Sequence, residues 1–261
     1  MSKMYSLLMI ITMLVGMSGL IPDDWPRDLQ TTDTQRLPAR FKEVLNVLGG
    51  SAALASRPKS RVISIELTMT DSPESYFERR VITAIDGSRL RRETVDPHCL
   101  RSQIEIVNDQ GKYYGRAVSQ EHGSRTSTEL PAESERARTI TWLVETTGLL
   151  SFLREFARSS TRAYWVGRTV DDLDEFQVVT PKGECIIYSD RARFIRSIKT
   201  GDVVLQFSLY QSVGGLELPY VERVLFRGRL VREIYFSSIE LNPTFEADYF
   251  KGSTMPAESC P

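Results

Sequence analysis

Histidine and cysteine are scarce, with two of the first and three of the second among 261 residues. So few imidazoles and thiols leave little from which to assemble a zinc site, a Cys–His pair or a Ser–His–Asp triad. No G-x-S-x-G elbow, H-E-x-x-H helix, Walker loop or G-x-G-x-x-G turn occurs either. Net charge is nearly absent, because 33 Lys plus Arg against 34 Asp plus Glu leaves −1, and no bulk positive field exists to hold nucleic acid. His98 and His122 fall in the polar stretches Asp96-Pro97-His98-Cys99 and Gln120-Glu121-His122-Gly123, which read as loops. The acidic group Asp171, Asp172, Asp174 and Glu175 reads as a solvated turn in preference to a calcium site. No catalytic residue, metal or cofactor is expected.

Long apolar runs are also missing, except at the very start. Lys3 precedes the run Met4 to Val15, and the small residues Gly16, Ser18 and Gly19 follow, the pattern of a secretory signal peptide over 1–19. The run falls short of the roughly 20 apolar residues a membrane span requires. With no Cys near the cut, lipidation is excluded, and an exported periplasmic protein without an anchor is expected. Residues 20–38, polar and containing Pro22, Pro26 and Pro38, read as a linker. An oxidising compartment permits one disulfide, and spacing alone does not choose the pair. Cys260 lies in a terminal tail, 252–261, which makes Cys99 and Cys185 the better partners.

Between these ends, 39–251 read as a single domain. Phe41, Val44, Leu45, Val47 and Leu48 recur at helical spacing, and Gly49-Gly50 follow where a helix stops. Arg61 to Thr70 alternates strictly, with Ile63, Ile65, Leu67 and Met69 on one side, as in a half-buried strand. Similar runs at 77–86, 89–95, 103–107 and 112–118, broken by hairpin signals such as Asp86-Gly87, predict an antiparallel meander. Ser119 to Pro131 reads as a polar loop, and Glu133 to Ala157 as a helical insertion broken at Gly148. Strands then return at 167–180, 185–189, 194–198, 203–210, 218–227 and 230–241, giving ten or eleven in all. The predicted class is mainly β (α+β), one large curled antiparallel sheet covered by an N-terminal helix and a mid-chain helical lid. The stripe Ile63, Ile65, Leu67 and Met69 is expected to face Val203, Leu205, Phe207 and Leu209 beneath Trp142, Leu149, Leu153 and Phe156. Spacing does not decide whether these side chains fill a core or line a cavity.

Three stretches carry a resemblance to a known family. The first is Val47-Leu48-Gly49-Gly50-Ser51-Ala52-Ala53-Leu54, and the second is Val178-Val179-Thr180-Pro181-Lys182-Gly183. The third runs through Val213-Gly214-Gly215-Leu216-Glu217-Leu218-Pro219-Tyr220, the hairpin Arg227-Gly228-Arg229-Leu230 and Ile239-Glu240-Leu241-Asn242-Pro243, with Phe250 soon after. Together they resemble the periplasmic outer-membrane lipoprotein-sorting proteins of the LolA/LolB-like type. The resemblance implies a half-open barrel with a helical lid and an apolar cavity for lipid or lipoprotein acyl chains, lined by the twelve residues named above. A monomeric carrier that touches the membrane transiently is expected, and handing on its cargo needs a lid that opens, for which the break at Gly148 is either the hinge or a simple helix end. The alternative is a non-enzymatic scaffold that recognises an envelope protein partner and exposes an apolar patch instead of enclosing one.

Overall fold

The computed structural model describes residues 38–50, 59–69, 76–96, 98, 101–121, 124–130, 149, 162–180 and 183–251. Thirteen strands form one antiparallel sheet: β1 (Ser60–Met69), β2 (Tyr76–Asp86), β3 (Arg89–Val95), β4 (Arg101–Val107), β5 (Tyr113–Glu121), β6 (Ser124–Leu130), β7 (Arg162–Arg168), β8 (Asp174–Thr180), β9 (Gly183–Ser189), β10 (Ile195–Thr200), β11 (Val203–Val213), β12 (Leu216–Phe226) and β13 (Arg229–Leu241). Their spatial order is β6-β5-β4-β3-β2-β1-β13-β12-β11-β10-β9-β8-β7, so two meanders meet where the first strand pairs with the last. The sheet is open, with β6 and β7 as its edges.

Two differences from the sequence reading have local causes. The polar stretch after residue 118 continues β5 and then forms β6, because an edge strand needs only one paired side and tolerates the Ser, Thr and charged residues that look like loop. The run 167–180 is divided by a turn at 169–173, where Asp172 takes a φ of 62° and Leu173 N–H donates to Thr169 O γ1. Thirteen strands result instead of ten or eleven.

Helix α1 (Ala39–Val47) is the one complete helix among the described residues. Phe41, Val44, Leu45 and Leu48, at i, i+3, i+4 and i+7, are all fully buried and seat one face of the helix on the sheet. They pack with Leu149, Ala163, Phe176, Val178, Cys185, Ile187, Ile195, Ile198, Leu205 and Phe207. That side of the sheet is called the inner face below. The helix stops at Gly49, whose φ of 116° favours glycine, and a Cβ there would overlap the Leu216 side chain. Two stretches distant in sequence, Leu48-Gly49-Gly50 and Gly214-Gly215-Leu216, therefore meet in space.

The outer face is covered differently. Phe245, Tyr249 and Phe250 form an aromatic triad over Ala84, Ile104 and Ile106. Arg91 holds this segment by donating to Tyr249 O at 2.8 Å, with its guanidinium 4.5 Å from the Tyr249 ring centroid and its Nε on Glu93 at 2.6 Å.

The first meander ends at one edge of the sheet and the second begins at the other, so residues 131–161 connect opposite edges. Leu149, the described residue of that connection, is buried in the inner-face cluster.

Candidate functional site

Residues paired across a sheet point to the same face, so the register fixes which side chains share a surface. Ile63, Ile65 and Leu67 pair with Ser238, Tyr235 and Glu233. Tyr235 and Glu233 pair with Val221 and Arg223, which pair in turn with Ser208 and Gln206. The stripe Ile63, Ile65, Leu67 and Met69 thus lies on the outer face, with Ile65 39% exposed. Val203, Leu205 and Phe207 lie on the inner face with α1 and Leu149. The two stripes expected to face each other are on opposite sides of the sheet. Leu209 departs further: its φ of 54° interrupts the alternation and leaves it 65% exposed, while Tyr210 packs against the inner cluster and donates to Ile195 O at 2.5 Å.

Trp142, Leu153, Phe156 and Gly148 lie outside the described residues, as do Cys99, Cys260 and the signal-peptide region. Cys185 is a buried free thiol among the described residues, and Cys99, its expected partner, lies outside them. Burial in the inner cluster pushes this thiol up to about 12, which keeps it protonated and unreactive.

What β1 buries on the inner face is polar. Ser60, Ser64 and Glu66 are its buried residues. A single row of paired residues crosses four strands there, running Phe207 (β11), Glu222 (β12), Ile234 (β13) and Glu66 (β1). The inner cluster, with Val224 of β12 packed against it, borders a buried ionic group on this row, where Ile234 stands between Glu222 and Glu66. Arg232 donates to Glu66 Oε1 at 2.6 Å, and Arg92, on β3, reaches over β2 to Glu66 Oε2 at 3.3 Å. Burial acts to raise the Glu66 pKa, but the charges of Arg232 and Arg92 outweigh it and hold the carboxyl below its ordinary range. Beside this pair, the Tyr113 hydroxyl donates to Glu105 at 2.9 Å on the same face.

Glu222 is the exception in the group. It is 0% exposed, and neither carboxylate oxygen finds a hydrogen-bond donor among the described residues. Desolvation pushes it up to about 8, against the pull of Arg232 and with a contribution from the charge of Glu66. At neutral pH the inner face therefore carries an ionised Glu66, with both oxygens occupied by guanidiniums, next to an uncharged Glu222.

A second ionic group ties α1 to the sheet. Asp174, 1% exposed, accepts from Arg193 at 2.6 Å, Arg40 at 3.2 Å, Trp165 Nε1 at 3.3 Å and Arg168 Nε at 3.4 Å. Burial works to raise its pKa, but the hydrogen bonds from Trp165 and Arg168 and the nearby positive charges lower it. Arg40 also lies 4.4 Å from the Trp165 ring centroid, and Glu43 pairs with Arg193 at 2.9 Å. Asp171 and Asp172 lie in the turn, with Asp172 paired to Arg168 and Arg191, and Glu175 lies in β8. Among the described residues no group of three or more His, Cys, Asp or Glu is placed to hold a metal, and no helix is long and apolar enough to cross a membrane.

Glu66 and Glu222 escaped the sequence reading because the apolar side of an alternating strand was assigned inward. One signal was available: Glu222 shares strand parity with Val224 and Phe226, which places a carboxyl in an apolar row.

No family model and no curated protein sequence matches the chain. Solved structures with similar folds include a DUF1329 family protein from Desulfovibrio piger, 11% identical, covering 82% of this chain and 97% of that one at a TM-score of 0.48. Another is a domain from Vibrio parahaemolyticus described as an outer membrane lipoprotein-sorting protein, 8% identical over 80% of this chain and 96% of that one, at 0.44. A third is a LolA superfamily protein from Nitrosomonas europaea, 9% identical over 82% and 97%, also at 0.44.

Proposed function

We propose that this chain is an exported, non-enzymatic carrier that takes up the acyl chains of a lipid or lipoprotein on the inner face of its sheet. One observation carries the reading: the inner face of an open sheet is apolar across β8 to β11, and among the described residues what covers it is α1 and Leu149, not a second sheet. Cover that is bound by side chains alone can be exchanged for a ligand of the same chemistry without breaking a strand pair. Each methylene transferred from water to such a surface contributes about 0.8 kcal/mol, so a chain of ten or more binds without any polar contact. The three stretches that resemble lipoprotein-sorting carriers support the same function, and the signal-like N-terminus supports export to the periplasm.

Titration with a fluorescent fatty acid tests this. Saturable uptake by the full chain is expected, weakened by Leu205→Ala on the inner face and unaffected by Ile65→Ser on the outer one. Uptake that is not saturable, or that responds to Ile65→Ser as strongly as to Leu205→Ala, rejects the inner face as the binding surface.

A second reading, a scaffold for an envelope protein, rests on Ile65 and Tyr235. They are directly paired on the outer face and 39% and 38% exposed. An Ile65→Ser variant that kept fatty-acid uptake but lost a stoichiometric protein partner would favour it.

A further inference from the structure

We infer that Arg92, Arg232 and Glu222 form a polar seat for the anionic head of an acyl-chain amphiphile, of which a fatty-acid carboxylate is the simplest. This rests on the carrier function proposed above and narrows its cargo. The seat adjoins the apolar surface directly, since Glu222 is paired with Phe207 of the inner cluster, and stands two strands from Glu66, about 10 Å between backbones. A ligand with its tail along β8 to β11 and its head over β12 to β1 would match this gradient.

The head should be negative. Two guanidiniums, Arg92 and Arg232, face this group and share one carboxylate, Glu66, with the exposed Arg79 close enough to add its charge. Arg92 and Arg232 each make one ion pair, both to Glu66, and a guanidinium has five donors to offer in a geometry that fits a carboxylate. Glu222 is the second, independent indication. A fully buried carboxyl without a partner is costly to retain and is explained if a ligand completes it. With its pKa pushed up to about 8, it carries a proton at neutral pH and donates it in a hydrogen bond to an anionic oxygen. A cationic head would be repelled by the guanidiniums, and an uncharged ester would accept only the weaker hydrogen bonds of a neutral oxygen.

Displacement of a bound fluorescent fatty acid at pH 7 by oleate, methyl oleate and oleylamine tests the seat on the unaltered chain. Oleate is expected to compete at least tenfold better than methyl oleate, and oleylamine worst. In Arg232→Gln, checked for folding by its thermal melt, the oleate advantage should shrink to within threefold. If that variant does not fold, the three-way comparison decides alone. Equal competition by all three, or a preference for the amine, overturns the seat while leaving the carrier function standing. If the fluorescent probe itself does not bind, the carrier function falls and the seat falls with it.

Discussion

The unpaired carboxyl of Glu222 makes stability depend on pH in an unusual direction. In the unfolded chain this group titrates near 4.5, and in the folded protein near 8. Below pH 4.5 it is protonated in both states and adds no pH dependence. Between 4.5 and 8 the unfolded chain releases the proton and the folded protein keeps it, so stability falls as pH rises, by about 1.4 kcal/mol per unit. From pH 4.5 to 7 the loss is about 3 kcal/mol, large against the 5 to 15 kcal/mol typical of a whole domain. Glu66 and Asp174 work in the opposite sense. Their lowered folded values mean that their contribution is lost only as pH falls below the ordinary carboxylate range, outside this window. Glu222→Gln removes the titration and keeps the shape. Urea unfolding of both proteins at pH 5, 6, 7 and 8 should show the variant gaining on the wild type by about 1.4 kcal/mol for each unit up to pH 7. Two parallel stability curves would refute the reasoning, because they would mean that Glu222 ionises alike in both states.

Three further substitutions probe the frame around the site. Gly49→Ala must both hold a left-handed φ and push Leu216 aside, and should cost more than about 2 kcal/mol in urea unfolding. Asp174→Ala removes the acceptor shared by Arg40, Arg193, Arg168 and Trp165, with an expected cost of about 2 kcal/mol, reduced because the arginines are partly exposed. Hydrogen exchange within Ala39–Val47 should quicken in the same variant as α1 loosens. Phe250→Ala opens the outer aromatic triad over Ala84, Ile104 and Ile106 and should cost about 3 kcal/mol, measured by the same unfolding experiment.

Much of the fold was legible in the chain because antiparallel hairpins are local. Asp86-Gly87 and Gly201-Asp202 announce their turns, and α1 is read from five apolar residues and a glycine stop. The two strands that were not anticipated, β6 and the separate β7, lie at the sheet edges, where pairing on one side alone relaxes the apolar pattern. The site was legible only in part. Leu149, Leu205 and Phe207 share one packed inner-face cluster with Val203 against it, but the orientation of β1 depends on its register with β13, whose shift between Ile63 and Ser64 is a long-range property. The alternation in Arg61 to Thr70 shows that β1 has two unlike faces without showing which is buried. In the folded protein Glu66 takes the inner face because Arg232 and Arg92 are there to neutralise it, and those partners come from β13 and β3.

The central claim is that the inner face carries an acyl-chain amphiphile. Native mass spectrometry of the protein, purified without detergent from the envelope of its own host, tests it most directly. The account predicts a population heavier than the bare polypeptide by one amphiphile, which dissociates on collisional activation as an anion containing an acyl chain. A spectrum showing only the unliganded polypeptide, before and after incubation with excess oleate, would contradict it.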